Sequence, residues 1–231
     1  MANTVGSLRK FKSLEGEGFW KFWQNKWRKF KKNLHLTKRQ ISVLVGSMLG
    51  DGTLRVGEDA VNANLKIEHG LKQKEYVFWK YKIFKKWVGT GPKISYRYQE
   101  NGERYKKSWW FRTIRHPEIT YFRKLFYRKK RKIIPSCIED LLNPLVIAVW
   151  VMDDGNRASK RINLSTYRFT RPEIKRLQEA LKNKFRLKAN FYRDRDKGYR
   201  MYFDVKNTEK LVKIIFPYIL SSLKYKLPIT P

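Results

Sequence analysis

The stretch IAVWVMDDG, residues 147–155, joins an apolar run to two adjacent carboxylates, Asp153 and Asp154. Asn143 can cap the start of a helix here, and Pro144 would take the first helical position, where its missing N–H costs little. The two acids would then close the helix at its C-terminal end, which carries partial negative charge and favours cations. Carboxylates at this end therefore require a positive partner.

A second stretch, earlier in the chain, has the same design. LVGSMLGDG, residues 44–52, follows Thr37, which can cap a helix with Gln40 as its capping-box partner. This helix would also end at an acid, Asp51, followed by glycine. Two apolar helices that each end in Asp-Gly predict an internal repeat, and a repeat determines how the whole chain is divided.

The segments that follow the two helices also match one another. Runs of alternating polar and apolar residues predict strands, and some of them flank short turn signals, ENG and DKG. The order predicts an α+β fold in which a helix–strand–strand–helix–strand–strand–helix unit is used twice. The predicted domains are a basic aromatic N-terminal extension over 1–36, a first half over 37–140 and a second half over 141–231. The predicted strands are NANLKIEH, KISYRYQ and RYKKSWWFRT in the first half and RINLSTY, KANFYRDR and YRMYFDV in the second, with helices near 72–88 and 171–185.

The N-terminal extension has the periodicity of an amphipathic helix. Its aromatic residues recur on one helical face, which predicts a helix docked on the core, with a basic outer side that contacts phosphates. A transit peptide is the competing interpretation, although Glu15 and Glu17 count against it because such peptides are poor in acids. The aromatic face consists of Phe19, Phe22, Trp23, Trp27 and Phe30.

Charge is the dominant feature of the composition. The 231 residues include 53 Lys and Arg against 20 Asp and Glu, which gives a net charge of +33, while 42% of residues are hydrophobic. A globular protein this basic repels itself unless a polyanion is present, so nucleic acid is the predicted partner. A single cysteine, Cys137, excludes a disulfide framework and suits a reducing compartment. No apolar run approaches the roughly 18 residues of a membrane span, so we expect no membrane association.

The predicted strands place polar side chains on one face of each sheet. Side chains alternate along a strand, so helices would cover the apolar face and leave the other face free. For any one strand, an ordinary half-solvated antiparallel sheet is the commoner explanation of the pattern. With a net charge of +33, we favour a surface that reads base edges in the DNA major groove. The predicted DNA-binding residues are Arg97, Gln99, Lys106, Ser108 and Arg112 in the first half and Arg161, Asn163, Ser165, Asn190, Tyr192, Arg200 and Tyr202 in the second.

The acids at the two helix ends predict a metal site. Gly46 and Gly50 would let the first helix approach the second closely, which would bring Asp51 and Asp154 together. Two carboxylates beside two negative helix ends are unfavourable without a cation, and hard oxygen ligands of this kind suit Mg²⁺ and the phosphate oxygens of a substrate. Each Asp-Gly taken alone is better explained as an ordinary helix-ending turn. Their matched places in matched halves favour divalent metal held against a phosphodiester.

Both motifs resemble those of the single-chain LAGLIDADG homing endonucleases of the intron-encoded type, and the resemblance extends from roughly residue 37 to residue 228. It implies two pseudo-symmetric αββαββα repeats, each an antiparallel sheet saddle covered by helices, with the two motif helices at the central interface. It also implies an endodeoxyribonuclease that binds a long duplex DNA target. Such an enzyme makes a metal-dependent double-strand break with short 3′ overhangs and so promotes mobility of its host intron.

The resemblance also assigns roles to residues. Basic residues near each active site carry over to Lys132 in RKIIP and Lys226 in KYKLP. The expected metal is Mg²⁺, with Mn²⁺ able to substitute and Ca²⁺ supporting binding without cleavage; no binding residues for any other cofactor are predicted. His35, His69 and His116 show no metal-ligand spacing and are interpreted as surface or core residues. The implied catalytic residues are Asp51, Asp154, Lys132 and Lys226, and the implied metal site comprises Asp51, Asp154, Gly50 and Asp153.

Other classes of protein stay open on sequence grounds. An intron-splicing maturase that binds RNA, or a DNA-binding regulator, could use the same scaffold, although both acids are present as an enzyme requires. A basic nucleoid or ribosomal protein would have no use for two apolar helices with terminal acids. We expect a monomer without an obligate protein partner, since two fused halves already supply the symmetry of a dimer. The expected location is intracellular, in a bacterial cytoplasm or nucleoid or in an organelle matrix.

Overall fold

The computed structural model of the protein describes residues 16–58 and 60–228. The chain divides between Leu36 and Thr37 into two compact units. The N-terminal unit contains helix α1 (Gly16–Lys32). On this helix Trp27 and Phe30 are 47% and 41% exposed, and their rings stack with centroids 5.3 Å apart. The sequence predicts that these two rings share a core-docking face with three further aromatic side chains, those of Phe19, Phe22 and Trp23. These three side chains lie outside the described residues, as do residues 1–15.

The second unit is built from one element order used twice. The first copy consists of α2 (Lys38–Leu49), β1 (Thr53–Arg55), β2 (Asn64–Gly70), α3 (Lys74–Phe84), β3 (Lys93–Tyr98), β4 (Arg104–Arg112) and α4 (Pro117–Phe126). A short hairpin of β5 (Tyr127–Arg128) and β6 (Arg131–Lys132) follows, and then α5 (Ile138–Leu141). The second copy consists of α6 (Pro144–Asp154), β7 (Gly155–Ala158), β8 (Arg161–Ser165), α7 (Arg171–Phe185), β9 (Asn190–Arg193), β10 (Tyr199–Phe203) and α8 (Val205–Ile215). This confirms the predicted α+β fold of two αββαββα repeats.

The two larger sheets have the same topology. Their strand orders are β1-β2-β4-β3 and β7-β8-β10-β9, and all neighbouring strands are antiparallel. The predicted unit includes strands at the places of β1 and β7, but the sequence did not locate them, because three or four residues are too few to show alternation. No helix among the described residues is long and apolar enough to cross a membrane.

The two motif helices, α2 and α6, pack against each other at the centre of this unit. A methyl group at Gly46 would lie 2.6 Å from both the Val146 carbonyl oxygen and the Val149 Cβ, and one at Gly50 would lie 2.4 Å from the Asp153 Cβ. The close approach predicted for these glycines is therefore confirmed. It also explains why the second motif carries larger residues at the matching positions, since their side chains fill the space that the glycines leave.

Both helix starts are capped as predicted. The Thr37 hydroxyl accepts a hydrogen bond from the Gln40 N–H at 3.2 Å, and the Gln40 side-chain oxygen accepts one from the Thr37 N–H at 2.9 Å. At the start of α6, the Asn143 side chain accepts from the Val146 N–H at 3.0 Å. Caps of this kind satisfy backbone donors that have no partner inside the helix.

The register of the second sheet places the predicted polar side chains on one face. Arg200 lies opposite Ser165 and Tyr192, and Tyr202 lies opposite Asn163 and Asn190. Directly opposed residues point to the same side of a sheet. The residues between them in the strands, including Ile162, Leu164, Met201 and Phe203, are fully buried on the other side.

A β-bulge breaks the alternation in the first sheet. Ser95 pairs with Ser108, but the next residue, Tyr96, pairs with Lys106, so Lys107 is the extra residue on β4. The simple alternation that grouped Lys106 with Ser108 therefore fails at this point. Lys107 reaches the polar face instead, since its Nζ lies 3.6 Å from the Glu68 carboxylate, which also accepts a hydrogen bond from Ser108.

Candidate metal centre and nucleic-acid interface

The two motif aspartates lie at the ends of the paired helices. Asp154 is the last residue of α6, and Asp51 follows the C-cap of α2, Gly50. Burial raises the pKa of Asp154 to about 8, with the Asp51 carboxylate as the next cause. Burial also raises the pKa of Asp51, followed by repulsion from Asp153. The carboxylates therefore lie close enough to repel one another, and their burial makes ionisation of both groups unfavourable.

The chemistry of this donor set fits a divalent cation. Among the described residues, no donor makes a hydrogen bond or ion pair with the Asp154 carboxylate, although the helix end beside it already carries partial negative charge. The described part of the chain contains no group of three or more His, Cys, Asp or Glu that could hold a metal. Two carboxylates suit Mg²⁺, which keeps several waters and takes one or two carboxylates together with substrate phosphate oxygens.

The two predicted lysines bind the ends of the motif helices. Lys132 Nζ donates to the carbonyl oxygens of Gly50 at 2.7 Å and Gly52 at 2.8 Å. Lys226 Nζ donates to those of Met152 at 2.5 Å and Asp153 at 2.9 Å. The two lysines share one matching acceptor position, Gly50 in the first motif and Asp153 in the second. They supply positive charge and hydrogen-bond donors where helix C-termini lack partners.

Burial changes the pKa of both lysines. It lowers the pKa of Lys132 to about 8, with Arg168 as the next cause, and it lowers that of Lys226. Arg168, an exposed residue that the sequence analysis did not single out, opposes the rise in the pKa of both Asp51 and Asp154. Its charge therefore acts on the same centre from the solvent side.

Asp153 is bonded to the protein rather than exposed to solvent. Its Oδ1 accepts hydrogen bonds from Lys80 Nζ at 2.7 Å and from the Tyr76 hydroxyl at 2.6 Å, and its Oδ2 accepts from the Asp51 N–H at 3.1 Å. Burial opposes its ionisation, but Lys80 and His69, with these hydrogen bonds, hold its pKa below the usual range. A metal role for Asp153 and for Gly50, whose carbonyl binds Lys132, stays a prediction.

His69 lies between these acids. Its Nδ1 is 3.8 Å from Asp51 Oδ2, and its Nε2 is 3.7 Å from Asp153 Oδ1 and 3.3 Å from Lys80 Nζ. Burial lowers the pKa of His69 to about 4, with Lys80 as the next cause, so the ring is neutral at neutral pH. The sequence placed His69 on the surface or in the core, and no spacing signal connected it, Lys80 or Tyr76 with the motifs.

Polar grooves follow the free faces of the two sheets. In the first half, a groove of about 380 Å³ is lined by residues from Asp51 to Ser108, including Arg55, Lys66 and Glu68. In the second half, a groove of about 910 Å³ is lined by Lys160, Arg161, Asn163, Tyr192 and Tyr202, among others. The first groove reaches Asp51, so a polyanion bound along the sheet would pass the paired acids.

Several polar side chains in these grooves are held by one another. Glu68 accepts hydrogen bonds from Lys66 and Ser108, both at 2.5 Å. Burial opposes the ionisation of Glu68, but these bonds lower its pKa to about 2. In the second sheet, the Arg200 guanidinium donates to the Tyr167 hydroxyl and lies 3.3 Å from the Asp194 carboxylate. The predicted base-reading arginine is therefore already oriented before any ligand binds.

Comparison with known proteins places this architecture in a family. The chain matches the LAGLIDADG DNA endonuclease family over residues 41–211. It is 30% identical over 199 residues to the cytochrome b mRNA maturase bI2 of Debaryomyces hansenii, a match that covers 84% of this chain and 76% of that relative. It is 27% identical over 209 residues to the DNA endonuclease I-ChuI of Chlamydomonas applanata, covering 84% of this chain and 96% of that protein.

Solved structures agree with this assignment. The homing endonuclease I-WcaI bound to its DNA recognition sequence superposes with a TM-score of 0.80 at 24% identity, covering 88% of this chain and 92% of that one. Mesophilic variants of the homing endonuclease I-DmoI superpose with a TM-score of 0.50 at 12% identity, covering 78% and 96%. At these identities the structures establish the shared fold. The family match, which spans most of the chain, confirms the predicted family and enzyme class: the protein belongs to the LAGLIDADG DNA endonuclease family.

Proposed function

We propose that the protein is a site-specific homing endonuclease. It binds a long duplex DNA target along the grooves of its two sheets and makes a divalent-metal-dependent double-strand break with short 3′ overhangs, which promotes mobility of its host intron. The observation that carries the proposal is the pair formed by Asp51 and Asp154. Both carboxylates stand at matching helix ends, and their raised pKa values indicate charge that a cation would neutralise.

Each residue of the centre has a role in this proposal. Asp51 and Asp154 would hold Mg²⁺ against the scissile phosphates, where the ion would supply Lewis acidity to the attacking water and to the leaving oxygen. Lys132 and Lys226 fix the helix ends that carry these acids through their bonds to backbone carbonyls. Because both ammonium groups stay beside the acids, they also offset negative charge on the approaching phosphates.

Relatives support both the ligand and the metal. I-WcaI was solved bound to its DNA recognition sequence, and I-DmoI, at a TM-score of 0.50, was solved in complex with DNA and Ca. For this chain, the net charge of +33 supplies the attraction to DNA phosphates. The oxygen ligands of the acid pair favour Mg²⁺ over softer metals.

A cleavage experiment tests the proposal. Cleavable sites are first selected from a randomised duplex library. We expect double-strand cleavage in Mg²⁺ or Mn²⁺, and binding without cleavage in Ca²⁺ or chelator. Asp51→Asn and Asp154→Asn should each abolish cleavage and leave target affinity largely intact, because the amide no longer supplies a charged ligand.

The matched control is Asp140→Asn, which changes an exposed acid on the short helix α5. It should cleave like the wild type. An Asp51→Asn or Asp154→Asn protein that cuts both strands at the wild-type rate would refute the assignment of the acids.

A splicing maturase is the second candidate, because the chain shares 30% identity with a cytochrome b mRNA maturase. In that case the protein would bind its intron RNA and accelerate splicing. We expect Asp51→Asn to retain such an activity, since RNA binding on the basic surfaces does not require the metal carboxylates. An intron transcript with and without the protein, followed by its spliced product, distinguishes this function from DNA cleavage.

A further inference from the structure

A buried ion pair joins the two halves beside the paired acids Asp51 and Asp154. Lys80, on α3 of the first half, is fully buried, and its Nζ donates to Asp153 Oδ1 in the second motif at 2.7 Å. The hydroxyl of Tyr76, one turn earlier on the same helix, donates to that oxygen at 2.6 Å. The other oxygen of Asp153 accepts from the Asp51 N–H at 3.1 Å. The first half thus fixes a carboxylate of the second, which in turn holds the backbone of Asp51.

The end of the other motif helix has no equivalent arrangement. The position that matches Asp153 in the first motif is Gly50, which has no side chain and could not carry one, because its Cβ would lie 2.4 Å from the Asp153 Cβ. The helix that matches α3 is α7, which is described in full and buries no lysine or arginine. Its buried acid, Glu173, pairs with Arg131 at 2.9 Å instead.

The contribution of the ion pair to stability does not explain why it is buried in the core. Removing two charges from water is costly, and replacing a buried ion pair by apolar residues of similar volume is often neutral or stabilising. Stability therefore gives little reason to place Lys80 and Asp153 in the core. The contact that an apolar pair could not make is the hydrogen bond to the Asp51 N–H. His69, 3.3 Å from Lys80 and 3.8 Å from the Asp51 carboxylate, fills the remaining side of the cluster.

We propose that Lys80, Tyr76 and Asp153 form a positioning unit that acts on Asp51 through its N–H, with no equivalent unit for Asp154 among the described residues, so that the two cleavage centres are built unequally. The proposal rests on the endonuclease function proposed above. Its consequence is directional: loss of the unit slows cleavage of one DNA strand more than cleavage of the other. A cluster that served only to hold the fold together would affect both strands alike.

The test measures the two strands separately. The variant Lys80→Met/Asp153→Leu replaces the ion pair by apolar residues and removes the acceptor for the Asp51 N–H. Wild type and variant are compared in single-turnover cleavage of a duplex carrying a different label on each strand, after calorimetry confirms that the variant is folded. We expect the cleavage rate of one strand to fall at least about tenfold further than that of the other. An equal fall on both strands overturns the proposal.

A second variant and a control complete the experiment. Tyr76→Phe removes one donor to Asp153 and leaves the ion pair in place, so it should show the same strand bias at smaller size; if the double variant does not fold, this result decides. The control is Gln40→Leu, which breaks another contact between α2 and α3, the 2.8 Å bond from Gln40 Nε2 to the Ile83 carbonyl. It should lower stability without strand bias.

The two proposals fail in different ways. A wild-type protein that cleaves no member of the randomised duplex library in Mg²⁺ or Mn²⁺ overturns the endonuclease function and the positioning unit with it. A wild-type protein that cuts both strands, with unbiased variants, overturns the positioning unit alone.

Discussion

Asp51 and Asp154 hold the same motif position but differ in their surroundings. The Asp51 side chain is 40% exposed and has His69 3.8 Å away, with its own N–H bonded to Asp153. Asp154 is partly buried at its helix end, and its pKa is raised to about 8. Without a cation, Asp154 therefore ionises only at the expense of folded-state stability.

This environment predicts how stability depends on pH. The folded-state pKa of Asp154 is about 8, whereas the ordinary value for an exposed aspartate is 3.8. Between these values the folded protein keeps a proton that the unfolded chain releases, so this group makes stability fall as pH rises, by up to about 1.4 kcal/mol per pH unit. Asp154→Asn removes that loss. In chelator, we expect its free energy of unfolding to match the wild type near pH 4 and to exceed it increasingly towards pH 8, as measured by denaturant titration.

Glu68→Gln is the control of opposite sign. The pKa of Glu68 is lowered from 4.5 to about 2, because Lys66 and Ser108 stabilise the charged form against the effect of burial. Its contribution to stability is present above the unfolded value and is lost as pH falls towards 2. We therefore expect Glu68→Gln to be less stable than the wild type at pH 7. A difference between Asp154→Asn and wild type that stays constant with pH would contradict the assigned environment.

The sequence identifies the residues of the centre that occur at matching positions in both halves. It does not identify those that occur in one half alone. Asp51 and Asp154 follow apolar runs, and Lys132 and Lys226 each precede a proline in matching segments, so repetition marks them. Lys80 is one of 53 basic residues and has no repeated partner. Its role depends on the docking of α3 against α6, a contact between distant parts of the chain that no local pattern encodes.

At the level of elements, the contact between α2 and α6 sets the separation of the two acids. Gly46 is in contact with Val149, and Gly50 with Asp153. At these two places a larger residue of the second motif faces a glycine of the first, so the two motifs are complementary rather than identical. This explains why an apparent departure from the repeat, Val149 in place of Gly46, preserves the interface.

The contact predicts a strong effect of a small substitution. A Cβ at Gly46 would lie 2.6 Å from the Val146 carbonyl oxygen, which is backbone and cannot rotate away. Overpacking of this kind costs about 1–3 kcal/mol, and we expect Gly46→Ala to lower the free energy of unfolding by at least that much and to reduce cleavage by separating the acids. Calorimetry and a cleavage assay measure the two effects.

Gly89→Ala is the matched control, since nothing lies within 4 Å of a Cβ at that position. It should retain both stability and activity. If Gly46→Ala unfolded at the wild-type temperature, the tight helix contact would not exist in solution.

The strands show where alternation is sufficient and where it fails. In β8 and β10 it predicts the exposed face throughout, because no residue interrupts the ladder. In β4 a single extra residue, Lys107, changes which face of the sheet the side chains before it in the strand occupy. A bulge follows from the register between two strands, so the sequence of β4 alone cannot reveal it.

On the scale of the whole molecule, two copies of one unit share a single core. The sheets have matching strand orders and the motif helices meet between them. An isolated half would need a symmetric partner subunit, and in this chain the second half takes that place. We therefore expect a monomer, both free and on DNA. Sedimentation at micromolar concentration measures this, and an obligate dimer would contradict it.

In the proposed site-specific endonuclease, the net charge of +33 would serve two distinct purposes, general attraction to DNA and recognition of a sequence. Phosphate contacts supply the first and base contacts the second. Arg112 lies opposite Lys66 on the free face of the first sheet, and Arg200 is oriented by Tyr167 and Asp194 on that of the second. Lys29 is an exposed residue of α1, away from both sheets in sequence.

These placements predict two kinds of defect. An arginine that holds a guanine by two bonds contributes about 1–3 kcal/mol of discrimination, so Arg112→Ala and Arg200→Ala should each relax preference at a few base pairs. If Lys29 contacts phosphate, as the basic side of α1 predicts, Lys29→Ala should weaken binding to all sequences equally and reduce the salt dependence by about one ion. A cleavage profile over single-base variants of the target, repeated at several salt concentrations, separates the two defects. If both arginine variants keep the wild-type preference at every position, the free faces of the sheets are not the surface that reads DNA, and the basic charge serves only to attract it.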